Sequence, residues 1–248
     1  MLGRFRGFAL VLAVLTHPIG ASDLSQTQRG LSQGSGTVRV GDWEVAWSND
    51  GIRAKDVTTG KPVGICSSKR EEWAAAKHQR PGYYEERCSI LSIVGPIVSY
   101  SFSYDGSGGA HPIYGTSVKA VNLTNQGGPA NVVDLFAADL LLKELLKLRV
   151  IQDHLKWHDV GAFDELVDAL DDPCDIDFRG LAHAFAIKDI KDGTTVVLFG
   201  LGHGCEAARG NYTEFEVEVP AHAGVIPWLE AAKAGGTYAR ALRRGGGV

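Results

Sequence analysis

Two long runs, "YYEERCSILSIV" at 83–94 and "IVSYSFSYDG" at 97–106, are separated by nothing but Gly95-Pro96. Proline stops a continuing helix or ladder, and glycine beside it admits a tight turn. Both runs are rich in β-branched and aromatic residues, so they are expected to fold back on each other as a hairpin. A two-residue link is far too short for the crossover that parallel strands need. The centre of this chain is therefore committed to antiparallel pairing.

The same grammar recurs on both sides. "TVRVGDWEVAW" from Thr37 alternates as a strand, and Asn49-Asp50-Gly51 and Thr59-Gly60 mark turns in a hairpin or meander. "IYGTSVKAVNL" reads as a further strand, "TNQGGPAN" as a turn, residues 181–200 as a hairpin about Lys191-Asp192-Gly193, and "YTEFEVEVP" as one more strand. Helical spacing occurs in fewer places. "SSKREEWAAAKHQR" predicts a short helix ended by Pro81-Gly82, "AFDELVDALDD" a second, and "VIPWLEAAKAG" a closing one. "DLFAADLLLKELLKLRVIQDHLKW" predicts a long central helix capped by Asp134, with Leu135, Ala138, Leu141, Leu142, Leu145, Leu148 and Ile151 on one face. Strand groups flanking a helical middle predict an α+β fold, with antiparallel sheets packed on that helix. The domain is expected over 37–238, any division into two packed subdomains falling near 124–131, and 239–248 is expected to be a disordered tail.

The N-terminus reads as an export signal. Arg4 and Arg6 precede the apolar "FALVLAVL", and small residues around Ala21 permit cleavage. That run is shorter than the roughly 20 residues a spanning helix needs. Residues 1–21 are thus expected as a signal peptide, and the polar 22–36 as a flexible leader to a periplasmic or secreted domain with no membrane span. Loss of Arg4 and Arg6 moves the formal charge from −4 to −6. Such an acidic chain is a poor match for nucleic acid.

Cys66, Cys88, Cys174 and Cys205 make an even set, which in an exported chain suggests disulfides. Four cysteines allow three pairings. The sequence-local one, Cys66–Cys88 with Cys174–Cys205, is expected because each bond would clip neighbouring elements. No metal-ligand spacing is present, so neither a metal nor another cofactor is expected.

The stretch "SYSFSYDGSGGAHPIYG" at 100–116 raises the question of chemistry. Asp105, Ser107, Gly108, Gly109 and His111, with the distant His203 of "GLGHG", are the candidate loop and binding residues. A nucleophile needs a base within hydrogen-bond reach and a third group to orient it. Ser107 and His111 are too close in sequence to establish this, and Pro112 restricts His111 to extended backbone. Glycines that shape a turn explain the stretch better, and no catalytic residue is assigned. "GLGHG" is not a dinucleotide fingerprint, since no βαβ unit follows it. His111, His183 and His203 are each read as hydrogen-bonded structural histidines.

Residues 88–230 resemble, with gaps, a family of exported bacterial domains. The resemblance rests on "SILSIVGPIVSYSFSYDGSGGAHPIYGTSVKAVNL", the following "VVDLF" and the closing "FEVEVPAHAGVIPWL". That family includes the ectodomain of the lysozyme-sensing anti-sigma factor and the non-catalytic N-terminal region of a peptidoglycan deacetylase. The chain departs from it at 201–214, where "LGHGCEAARGNYTE" replaces a Pro/Tyr/Ala-rich loop. Neither an anti-sigma segment nor a deacetylase domain is expected within these residues. The resemblance implies an extracytoplasmic α+β module, more naturally non-enzymatic, with a lysozyme-like protein or peptidoglycan glycan as partner. Tyr83, Tyr84, Tyr114 and Tyr212 are candidate contacts, core burial accounting for each equally well. The rival expectation is a hydrolase or metal-dependent enzyme using Ser107, His111 and His203, which requires those side chains to converge in a pocket.

Overall fold

The computed structural model describes residues 34–73, 82–107, 112–155, 159–170, 175–191, 193–203 and 211–245. The expected signal peptide, Gly108, Gly109, His111, Cys174 and Cys205 lie outside these residues. Within them, every strand pairing is antiparallel.

The first sheet is a meander of β1 (Gly36–Val40), β2 (Trp43–Ser48), β3 (Gly51–Asp56) and β4 (Pro62–Ser67). The strand expected from Thr37 is broken at Gly41-Asp42, so the run forms a hairpin rather than one strand. The second sheet holds β5 (Lys69–Trp73), β6 (Gly82–Val94), β7 (Ile97–Ser107), β8 (Ile113–Asn122) and the short β9 (Gly128–Pro129), in that order. The third consists of β10 (Phe185–Lys191), β11 (Thr194–Gly202) and β12 (Tyr212–Val219).

The second sheet is the common wall of two cores. At the Gly95-Pro96 turn, Ile93 and Val98 face β1–β4 and pack with Val45, Ile52, Ala54 and Val63. Their neighbours Val94 and Ile97 face the other way, into a larger core with Phe136, Phe178, Phe185 and Phe199. Burial on both faces explains why this part of the hairpin reads as continuously apolar rather than alternating. Gly95 holds φ +55°, and a Cβ there would lie 2.5 Å from the Trp228 ring, so both the turn and the ring's seat require glycine. Two polar side chains tie elements into the wall. Ser92 Oγ accepts from Ile187 N–H at 3.1 Å, and Thr237 Oγ1 donates to the Ile93 carbonyl at 2.7 Å.

Three sequence expectations are corrected. The long central helix is absent. Asn131 caps a 3₁₀ turn at Val132–Asp134, with the Asp134 carboxylate accepting from Asn131 N–H. The chain then leaves the helical path, because Leu135 and Phe136 are buried through an extended contact in which Phe136 bridges Ala221 and Leu135 O accepts from His222 N–H. Helix α1 (Ala138–Leu145) follows, and after an interruption α2 (Arg149–Leu155). Gln152 Nε2 donates to Leu146 O at 2.9 Å, supplying a partner for a carbonyl at the break. The heptad-like leucines are real core residues, but they belong to a turn and two short helices. The second correction is Lys69–Trp73, expected in a helix and found as β5. Lys69 and Arg70 meet Glu86 and Glu85 across the ladder at 3.6 and 3.7 Å, and the same cations lie over Tyr84 and Tyr83. Cross-strand partners override helix propensity here. Third, Ala239–Gly245 is helical where a frayed tail is expected, with Ala239 buried.

Helices α3 (Phe163–Ala169), α4 (Ile226–Gly235) and α5 (Ala239–Gly245) complete the described elements. α1 and α3 pack together, α1 also against β12, while α4 and α5 lie against β6. Cys66 on β4 is bonded to Cys88 on β6, Cα–Cα 6.0 Å, as the local pairing expects. This bond links the first sheet to the wall. No helix among the described residues is long and apolar enough to cross a membrane.

Candidate functional site

Where β8 passes the end of β11, the second and third sheets part to leave a cleft of about 580 Å³. This is within the usual size range of small-ligand sites. Its inner wall is β8 from Gly115 to Val121, with Tyr100 and Tyr104 behind it. The outer wall is built from Asp177, Gly180, His183 and the β11 end, Gly200 to His203. The walls approach closely because β11 is bare there. A Cβ on Gly200 would lie 2.4 Å from Val118 Cγ2 and 2.2 Å from the Tyr212 hydroxyl. Glycine in "GLGHG" thus serves the approach of two sheets.

Lys119 projects from the inner wall and is exposed. Its ammonium sits 4.5 Å from the Phe102 ring centroid, and among the described residues no carboxylate comes within ion-pair reach of it. Asp177 on the outer wall is held by Arg179 Nε at 2.9 Å. His183 Nδ1 faces the Ala130 carbonyl at 2.6 Å, so that nitrogen carries the proton.

Of the expected site residues, the described part of the cleft takes His203 and not Ser107 or Asp105. Ser107 ends β7 opposite Tyr83, and Asp105 Oδ2 accepts from the Tyr83 hydroxyl at 3.0 Å. That bond raises the Tyr83 pKa. Burial, followed by its hydrogen bond to Glu86, pushes Tyr84 up to about 12. These phenols at the end of the β6–β7 hairpin stay neutral donors at ordinary pH. Tyr114 is half exposed on β8, while Tyr212 donates to Glu214.

His203 has partners that its sequence neighbourhood does not announce. Its Nε2 lies 3.0 Å from Thr213 Oγ1 and its Nδ1 3.5 Å from Asp175 Oδ1. Asp175 Oδ2 meets His154 Nε2 at 3.0 Å, and His154 Nδ1 reaches the Val150 carbonyl at 2.7 Å. Both His154 partners are acceptors, so the two bonds are made together only by a doubly protonated ring. The His154 bond is the main cause of a lowered Asp175 pKa, partly opposed by burial. Hydroxyl, imidazole and carboxylate are the parts of a nucleophile relay. Neither Thr213 nor Asp175 lines the cleft, however. The array joins β12, the end of β11 and α2, so it braces the outer wall from behind. Sequence reasoning missed Asp175, His154 and Thr213 because their meeting is purely tertiary. No cluster of three or more metal-ligating side chains occurs among the described residues.

No protein-family model, curated protein or solved structure matches the chain.

Proposed function

We propose that this chain is an extracytoplasmic, non-enzymatic binding module of the cell envelope, which holds a protein or glycan ligand in the cleft between β8 and the β11 end. The observation that carries the reading is the cleft itself: concave, walled by tyrosines and bare backbone, and furnished with Lys119, which has no ion-pair partner among the described residues. The Cys66–Cys88 bond suits an oxidising compartment. The family resemblance supplies the ligand classes, a lysozyme-like protein or a peptidoglycan fragment. The test is calorimetric titration of the oxidised chain, freed of residues 1–21, with lysozymes and with soluble peptidoglycan fragments. Saturable binding that weakens at least tenfold in Asn211→Trp, at the exposed cleft mouth, and in Lys119→Glu supports the reading. Equal binding by both variants removes it.

A second reading, a hydrolase, is favoured by one observation, the Thr213–His203–Asp175 array. It requires turnover of an ester or peptidoglycan substrate that Thr213→Val and His203→Gln both abolish. Unchanged turnover in Thr213→Val would exclude it.

A further inference from the structure

The pleat of β8 divides the cleft into two sides. Side chains alternate between the faces of a strand, and residues opposite one another on paired strands share a face. The register with β7 sets Lys119 opposite Tyr100, Ser117 opposite Phe102 and Gly115 opposite Tyr104. Tyr100 belongs to the core shared with β1–β4, so these residues face that sheet. Val118 and Thr116 face the other way and are closed in by Gly200 and Gly202 of β11. Room for a ligand therefore lies on the Lys119 side, where Ile65 of β4 borders the cleft. That side is shut at one end by the turn before β9. A Cβ on Gly127 would lie 2.9 Å from Val63 Cγ1, and Lys61 Nζ donates to Gln126 Oε1 at 3.4 Å.

The floor of this side is made of donors and rings. Tyr100 is only 6% exposed, and its hydroxyl has no hydrogen-bond partner among the described residues. It is nevertheless not sealed in, for Tyr100 lines the cleft and Ser99 Oγ alone, among the described side chains, is both sealed and unpartnered. A hydroxyl drawn out of water is costly unless something completes it. Burial raises the Tyr100 pKa, so the phenol keeps its proton and can donate it. In the facing position Lys119 holds its ammonium 4.5 Å from the Phe102 ring centroid, with no ion-pair partner among the described residues. The Tyr104 ring lies across Gly115, where a Cβ would come within 2.6 Å of its hydroxyl. Asp177, the one carboxylate among the described cleft residues, stands on the outer wall and is held by Arg179.

We infer that the cleft's ligand is a sugar acid, whose carboxylate is held by the Lys119 ammonium and the Tyr100 hydroxyl while its ring lies on Tyr104. This rests on the reading of the cleft as the binding site and narrows its glycan class. Both groups can donate, and the ammonium has no acceptor at all. A carboxylate offers two oxygens to them, and bonds to an ionised acceptor are the strong kind. The face of an aromatic ring is negative and attracts the weakly positive C–H groups of a sugar ring. A cleft of about 580 Å³ suits a short oligosaccharide. A neutral sugar leaves the ammonium uncompensated, so the charge selects the acid.

The test is titration of the oxidised chain, freed of residues 1–21, with matched sugars followed by saturation-transfer NMR. Glucuronate is set against glucose, and N-acetylmuramic acid against N-acetylglucosamine. The first pair probes a polysaccharide uronate and the second the lactyl acid of a wall glycan. In at least one pair the acid should bind about tenfold more tightly than its neutral partner. Lys119→Met should bring the acid down to the neutral level. Tyr100→Phe should weaken the acid about threefold or more, yet leave the denaturation midpoint of the free chain unchanged, because the hydroxyl bonds to nothing described in the protein. A tyrosine with a purely structural role would move the midpoint instead. Equal binding of acid and neutral sugar overturns the inference. So does acid binding that survives Lys119→Met or Tyr100→Phe, or hexanoate bound as tightly as the sugar acids. If no sugar binds but a lysozyme does so in an Asn211→Trp-sensitive way, the cleft reading stands and the sugar acid alone falls. If neither class binds, both fall.

Discussion

The two faces of the central sheet solve the same problem by different means. The face toward β10–β12 and the helices buries a large core containing Phe136, Phe178, Phe185 and Phe199. The face toward β1–β4 buries far fewer side chains, and it carries the Cys66–Cys88 crosslink. A layer with little apolar area to bury gains from covalent closure, because a crosslink restricts the unfolded chain. The difference teaches that packing and crosslinking are alternatives that one molecule can distribute between its two sides.

The sharpest way to break this comparison is in the large core. Phe136 is fully buried, and Phe136→Ala should cost about 4 kcal/mol in urea unfolding. A loss below about 1 kcal/mol would mean that this core is not the stronger half. Next, Cys66→Ala with Cys88→Ala should cost about 3 kcal/mol. Its amide exchange should rise in β1–β4 and stay low in β10–β12; a uniform rise would erase the distinction. Gly95→Ala meets both positive φ and the Trp228 ring, and should lower stability by about 1–3 kcal/mol without altering the disulfide. The smallest effect concerns pH. Asp175 has a lowered pKa in the folded chain, so its contribution is complete above the ordinary Asp value near 3.9 and is lost as pH falls through the folded value. Denaturation midpoints of wild type and Asp175→Asn should therefore differ at pH 6 and converge toward pH 2.5. Its side chain is 48% exposed, which keeps the difference modest.

The strand grammar was legible in the sequence because turns are local. Gly95-Pro96 placed both strands of the central hairpin, and Lys191-Asp192-Gly193 placed β10 and β11. The Cys66–Cys88 bond was legible because its two cysteines are close in sequence. The helix from Asp134 misled, since leucines at helical spacing look alike whether a run is continuous or broken for the sake of Phe136. Lys69–Trp73 misled because Glu85 and Glu86, which hold it in a sheet, lie well beyond it in the sequence. At the site, His203 was found through the glycine-rich "GLGHG" stretch. The cleft depends on Val118 meeting Gly200, and the brace on Asp175 meeting two histidines. Those distances come from three dimensions, and residue order does not contain them.

The shared wall also has a consequence during synthesis. β1–β4 leave the ribosome first, yet the surface that closes their core belongs to β6–β8, and the opposite side of that surface waits for β10–β12. Domains usually mature from the N-terminus onward. Here the earliest-made layer cannot close until β6–β8 have followed it, and Cys66 waits until then for Cys88.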